Sequence, residues 1–196
     1  MNDALIADCP ENYRVIYSLD VKNKKLALLF NGLALLIAVI MVIIASLNIP
    51  FITLFESKDM GSLVIKCTVL IVGLVVYLVL HELVHGLFMK LFSDAKIRFG
   101  FTGLVAYAAS DGYFHKKPYL VIALAPVVIW GIVLLVVNLL VPVSWFWIVY
   151  TLQICNIAGA AGDVFITLKL ISMPTNILIH DVGTTMAIYA KKDQIS

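Results

Sequence analysis

Four long, strongly apolar stretches constrain this chain more than any other feature of its sequence. They run over residues 26–49, 63–91, 119–141 and 145–171. A helix of about 20 apolar residues crosses a hydrocarbon core of about 30 Å. Hydrophobic residues make up 62% of the chain, against roughly 45–50% in soluble proteins. We therefore predict an all-α membrane protein in which residues 26–171 form a domain of four transmembrane helices surrounded by lipid.

The lysines and arginines indicate how these helices are oriented. Of the 14 in the chain, four precede the first span, five close the second span or lie between it and the third, and three close or follow the fourth. All twelve fall on one side of the predicted bundle, which the positive-inside rule makes cytoplasmic. We expect an integral protein of a bacterial cell membrane, with residues 1–25 and 172–196 as cytoplasmic segments and both termini inside. The net charge of +2 does not predict a nucleic-acid partner.

The segment between the second and third spans has a different character. Residues 95–117 read AKIRFGFTGLVAYAASDGYFHKK, too short and too polar to cross a membrane. Apolar residues alternate there, and Gly100, Gly103 and Gly112 interrupt the pattern, which favours short strands or a re-entrant hairpin. The simpler alternative is an irregular cytoplasmic loop.

A sequence motif at the end of the second span carries the chemistry. His81, Glu82 and His85 form the pattern H-E-x-x-H. On a helix the two histidines share a face and can bind one metal ion, while the glutamate can accept a proton from water. Zinc suits such a site and keeps one position open in enzymes. The competing interpretation is that these residues only mark the end of the helix at the lipid headgroups.

A catalytic zinc site requires a third protein ligand, and depth in the membrane favours Asp163. No glutamate follows Glu82, so the ligand is not a downstream glutamate. His81 lies 18 residues into its span and Asp163 lies 18 residues into the fourth, which runs in the same direction. Both are thus roughly 27 Å along their helices. Asp163 could instead be a solvated helix-end charge, and Asp181 is the next candidate. The remaining candidates are Asp94, Asp111, His115, Cys155, His180 and Asp193.

Asn156 is a candidate for binding the substrate. It precedes Asp163 by two helical turns and so lies on the same helix face. Its amide could donate a hydrogen bond to a substrate carbonyl or oxyanion. The alternative is that it holds neighbouring transmembrane helices together.

These residues resemble a known group of enzymes. The chain is similar to the site-2 proteases, which are intramembrane zinc metalloproteases. The similarity lies in HELVHG at 81–86, the glycine-containing segment after it, LAP at 124–126 and the stretch 156–163. They resemble more closely the small membrane proteins grouped as putative zincin peptidases. The resemblance covers roughly residues 63–171. It implies that Asp163 is the third zinc ligand, although the Asp-Gly pair of the site-2 proteases is replaced here by Asp163-Val164. It also implies that the strand-like segment offers an edge to an unwound substrate.

We therefore expect a membrane-embedded zinc metalloprotease that hydrolyses peptide bonds in or next to the membrane. Zn²⁺ would be held by His81, His85 and Asp163, with Glu82 as the catalytic base and the site near the cytoplasmic face. The substrate would be a membrane-associated protein or peptide, and the sequence does not predict an oligomeric state. The alternative is a non-catalytic membrane protein that binds a metal or a partner and retains the motif.

Overall fold

The protein is described by a computed structural model covering residues 11–56, 59–103 and 106–192. Within these ranges it contains five α-helices, six β-strands and two short 3₁₀ helices, at Phe51–Leu54 and Val143–Trp145. The α-helices are α1 (Lys24–Ser46), α2 (Met60–Phe92), α3 (Lys116–Leu140), α4 (Phe146–Gly159) and α5 (Ala161–Ile171). The strands are β1 (Tyr13–Asp20), β2 (Ile97–Phe101), β3 (Ala106–Ser110), β4 (Tyr113–His115), β5 (Ile177–Asp181) and β6 (Thr185–Lys191).

Among the described residues, four helical runs are long and apolar enough to cross a membrane. They are Lys24–Ser46, Met60–Phe92, Lys116–Leu140 and Val143–Ile171. The fourth differs from the single helix expected at 145–171, because it is interrupted at Ala160, whose backbone leaves the helical conformation. Gly159 and Gly162 flank this interruption, and glycine is a poor residue for a helix interior. Asp163 consequently lies in the first turn of a new helix, α5.

The prediction of an all-α fold is wrong, because the described residues also form two β-sheets. The larger sheet has the order β1-β6-β5-β4, and all its neighbours are antiparallel. Strand β1 comes from the N-terminal segment, and β5 and β6 come from the segment that follows the last helix. The smaller sheet pairs β2 with β3. The expected short strands between the second and third spans are therefore confirmed.

The described chain divides into two compact units. The first contains the described residues of 1–27, 82–125 and 163–196, and the second contains those of 28–81 and 126–162. In the first unit the core is the centre of the larger sheet, where Ile177, Ile179, Ile188 and Tyr189 are fully buried. In the second unit the core is a helical cluster around Tyr77, Leu134 and Val149.

The turn between β5 and β6 depends on a glycine. Gly183 has φ of +86°, and a β-carbon at this position would lie 2.1 Å from the ring of Tyr107. Its N–H donates to Asp181 Oδ1 at 2.8 Å. The turn thus needs both the left-handed backbone that glycine adopts readily and the space that a missing side chain leaves for Tyr107.

We predict that Gly183→Ala destabilises the protein more than Gly103→Ala. Gly103 has a similar φ of +87°, and beyond its chain neighbours no described atom lies within 4 Å of its virtual β-carbon. Alanine there therefore costs only the backbone strain of about 1–2 kcal/mol. Alanine at 183 adds a collision with a ring, which brings the cost to about 3 kcal/mol. Thermal unfolding in detergent measures both. Equal losses of Tm would show that Tyr107 does not restrict this turn.

Candidate metal centre

His85 and Asp163 come together in the first unit. His85 lies on the last third of α2, and its Nε2 is 3.5 Å from Asp163 Oδ1. Two ligands of a tetrahedral zinc ion, with bonds of about 2.0–2.2 Å, are separated by about 3.4 Å. The spacing of these two atoms therefore fits a shared zinc ion, and an imidazole and a carboxylate are both ligand types that zinc accepts.

The orientation of the His85 ring follows from a proline in α3. Pro126 lies inside this helix and has no N–H, so the carbonyl of Ile122, four residues earlier, lacks its usual helical donor. His85 Nδ1 is 3.0 Å from that carbonyl oxygen. Because a carbonyl can only accept, Nδ1 carries the proton and the neutral ring has its lone pair on Nε2, on the side of Asp163.

The packing around Gly86 explains why a glycine follows His85 in the HELVHG stretch. A β-carbon at this position would lie 2.3 Å from the ring of Phe99 in β2. The lack of a side chain therefore lets β2 pack closely against α2 beside His85. Strand β2 therefore packs directly against the turn of α2 that carries His85.

His81 lies one helical turn before His85 on the same face of α2. In the second unit, His81 is buried, and its Nδ1 is 2.9 Å from the hydroxyl of Tyr77. That hydroxyl also lies 3.0 Å from Asn156 Oδ1. Glu82, adjacent to His81, is half-buried.

Asn156 is fully buried, and both ends of its amide are hydrogen-bonded within the second unit. Its Oδ1 accepts from Tyr77, and its Nδ2 donates to the carbonyl of Val127 at 3.0 Å. The expected contact with a substrate stays a prediction. The structure gives Asn156 a place in the hydrogen-bond network of a histidine, which the sequence did not predict.

Asp181, the second candidate for the third ligand, has a different set of partners. Its carboxylate accepts hydrogen bonds from the hydroxyl of Tyr119 and from the N–H of Gly183. Burial raises the pKa of Asp181, its two hydrogen bonds and the charge of His85 oppose the rise, and the charge of Asp163 adds to it. Asp181 is thus an electrostatic neighbour of the His85–Asp163 pair within the first unit.

The remaining third-ligand candidates take other roles where they are described. Asp111 forms an ion pair with Arg98, His115 ends β4 opposite Leu178, and His180 stacks on Tyr113. None of Asp94, Asp111, His115, Cys155 or His180 belongs to a group of three potential metal ligands in the described part of the chain. Asp193 lies outside the described residues.

Two tyrosines at these sites were missed by the sequence analysis. Tyr77 precedes His81 by four residues, so helical spacing could have placed it on the same face. Tyr119 contacts Asp181 across 62 positions of sequence, and no local pattern indicates such a contact.

The central part of the chain is similar to known proteins. A family model described as "Putative zincin peptidase" matches residues 74–178. An uncharacterized 24.7 kDa protein in the gap 5′ region of Pyrococcus woesei is 31% identical over 147 residues, which cover 72% of this chain and 62% of that protein. The match therefore spans less than two thirds of the relative's length. No solved structure matches the chain. The resemblance to site-2 proteases is not confirmed and stays a prediction.

We predict a pH-dependent effect of Tyr119→Phe on stability. Since the pKa of Asp181 is raised on folding, the ionised carboxylate costs stability, and this cost grows as the pH rises from about 3.9 until it passes the raised value. Removing the Tyr119 hydroxyl takes away a hydrogen bond that favours the ionised form and raises this pKa further. The variant should lose about 1–3 kcal/mol at about pH 8, and less at about pH 5.

Thermal unfolding in detergent at the two pH values measures this difference. The control is the same substitution in an Asp181→Asn background, where the pH dependence should disappear. An equal loss at both pH values would contradict the assignment to Asp181.

Proposed function

The chain belongs to the putative zincin peptidase family, and from that premise we propose that it is a zinc-dependent metallopeptidase embedded in a membrane. Its reaction would be the hydrolysis of peptide bonds in or next to that membrane. The observation that carries the proposal is the 3.5 Å approach of Asp163 to His85. Chain regions 78 residues apart supply these two groups, and His81, the first histidine of the motif, precedes His85 by one helical turn.

The proposed zinc ligands are His81, His85 and Asp163. Two imidazoles and one carboxylate form a donor set that suits zinc, and three protein ligands leave a fourth position for water or substrate. The hydrogen bond from His85 Nδ1 to the Ile122 carbonyl supports this assignment, because ligand histidines commonly use their other nitrogen in this way. No comparable support exists for Asp181, whose oxygens accept from Tyr119 and Gly183.

The side chains would divide the chemistry between them. Zinc, when bound, would polarise the scissile carbonyl and make water more acidic. Glu82 would take the proton from the attacking water and deliver it to the departing amine. The three proposed ligands would fix the position at which the water, the scissile carbonyl and Glu82 meet. These ligands are His81, His85 and Asp163. The match covers only 62% of the Pyrococcus woesei protein. The substrate and the partners of the whole protein are therefore also proposals.

The surface of the second unit supports a location within lipid. Large apolar side chains on its helices are exposed, including Leu35, at 67% exposure, and Leu140, at 79%. Exposed apolar surface on this scale is unfavourable in water and is covered by lipid in membrane proteins. Together with the distribution of lysine and arginine, this supports both termini in the cytoplasm and a site near the cytoplasmic face.

The first test is the substitution Glu82→Gln. The variant should keep about one zinc per chain, because glutamine preserves the shape of the side chain and Glu82 is not a proposed ligand. Its cleavage rate should fall by about 10²–10⁴-fold, because the amide cannot accept the proton. Metal analysis of the detergent-purified protein and mass spectrometry of a membrane-protein pool incubated with it measure the two quantities.

The matched control is Glu56→Gln, which changes an exposed glutamate outside the candidate site. It should keep both zinc and cleavage. Cleavage by Glu82→Gln at the wild-type rate would overturn the mechanism. Zinc binding without cleavage by the wild-type protein would favour the non-catalytic alternative.

A second test concerns the orientation in the membrane. After Cys9, Cys67 and Cys155 are replaced by serine, single cysteines are introduced as Glu56→Cys and Asp94→Cys. A membrane-impermeant maleimide should label the first in intact cells and the second only after permeabilisation. The opposite pattern would reverse the proposed orientation, and labelling of neither residue before lysis would argue against a transmembrane protein.

A further inference from the structure

We infer that Tyr77 and Asn156 are positioning residues that fix the tautomer and the ring orientation of His81. They do so through a directed chain of hydrogen bonds that ends on a backbone carbonyl. The inference rests on the proposed function, because its consequence is that His81 presents Nε2 to the zinc ion. All the contacts that carry it lie within the second unit.

The direction of this series of hydrogen bonds is set at the end farthest from His81, by the backbone carbonyl of Val127. This oxygen can only accept, so the group of Asn156 that lies 3.0 Å from it must be the Nδ2 amine. The carbonyl end of the amide, Oδ1, then faces Tyr77. A side-chain amide whose ends could otherwise be exchanged is therefore fixed in one orientation.

Tyr77, which lies between Asn156 and His81 in this series of hydrogen bonds, determines which atom of His81 donates. Asn156 Oδ1 has no hydrogen, so the hydroxyl of Tyr77 must donate its single proton across the 3.0 Å between them. Tyr77 has no second proton for His81, whose Nδ1 is 2.9 Å away. The Nδ1 of His81 must therefore donate, and the lone pair of the neutral ring lies on Nε2.

Burial makes this arrangement strict. His81, Tyr77 and Asn156 expose 9%, 6% and 0% of their surface. Reversing one bond would leave a donor or an acceptor without a partner, at a cost of about 1–3 kcal/mol. The ring of Tyr77 is also packed, edge-on to Trp130 and against Leu134 and Val149. The hydroxyl is thus held in place by the core of the unit, independently of any metal.

The central variant is Tyr77→Phe, which removes the hydroxyl and keeps the ring. Loss of such an outer hydrogen bond weakens metal binding by about 10–100-fold, and we expect a loss in this range. The matched control is Tyr150→Phe, which removes a part-buried hydroxyl of the same unit that donates to the carbonyl of Met41. The control should bind zinc as the wild type does.

Two measurements report the role directly. Competition with a chromophoric chelator gives the zinc affinity of the full-length protein in detergent. The visible spectrum of the Co²⁺-substituted protein reports the ligand geometry, and it should change in Tyr77→Phe and not in Tyr150→Phe. Asn156→Leu should weaken zinc binding as well, and the double variant should lose less than the sum of the two single losses, because both act through one chain.

The outcomes separate this inference from the proposed function. Absence of zinc binding by the wild-type protein would overturn the proposed function. Wild-type zinc binding with unchanged affinity and Co²⁺ spectrum in Tyr77→Phe would overturn the inference alone. If Asn156 contacted substrate directly, Asn156→Leu would raise KM without changing zinc affinity, which would also overturn the inference.

A readout on the unmutated chain covers the case in which the variants fail to fold. Nitrogen-15 NMR of the metal-free wild-type protein distinguishes the two neutral imidazole tautomers. The inference expects His81 to carry its proton on Nδ1. A proton on Nε2 would overturn it.

Discussion

The hydrogen bonds that hold the two imidazoles through their Nδ1 atoms are the interactions on which the candidate site depends. Both end on backbone carbonyls of α3, directly at Ile122 for His85 and through Tyr77 and Asn156 for His81. A carbonyl accepts and cannot donate, so each chain of bonds can run in only one direction. Helix α3 offers Ile122 as an acceptor because Pro126 supplies no donor. The helix that contributes no proposed ligand therefore sets the orientation of two of them.

Charge in the first unit gives a second reason to expect a cation. Asp163 raises the pKa of Asp181, as one carboxylate does to another nearby, while the charge of His85 lowers it. Burial adds to the cost of ionising Asp181, and the hydrogen bonds from Tyr119 and Gly183 offset only part of it. A divalent ion held by His85 and Asp163 would reverse the sign of the local field and favour the ionised form of both acids. A metal ion at this position would thus offset part of the cost of ionising Asp181.

The features that the sequence predicted depend either on residues close together in the chain or on the length of an apolar segment. The four long apolar helices were predicted from the length that a membrane span requires. The relation of His81 to His85 was predicted from one turn of helix. Equal distance along two predicted spans favoured Asp163 over Asp181, and the structure brings Asp163 within 3.5 Å of His85. The larger sheet was missed because its pairs are distant, with Tyr13 opposite Lys191. Segments 1–25 and 172–196 showed no local pattern that linked them. The contact of Tyr77 with Asn156, 79 residues apart, was missed for the same reason.

The interruption of the fourth apolar run changes the local setting of Asp163. A continuous helix would have placed Asp163 in its interior, where the backbone N–H groups are already paired. With α5 beginning at Ala161, Asp163 lies in the first turn, where unpaired N–H groups and the helix dipole stabilise negative charge. Apart from chain neighbours and the helix backbone, no atom of the described residues lies within 4 Å of a virtual β-carbon at Gly159 or Gly162, so neither glycine is required for space. Their contribution is to the backbone, which leaves the helix at Ala160 and restarts it just before the carboxylate. The break therefore places the Asp163 carboxylate in the first turn of a helix, 3.5 Å from His85.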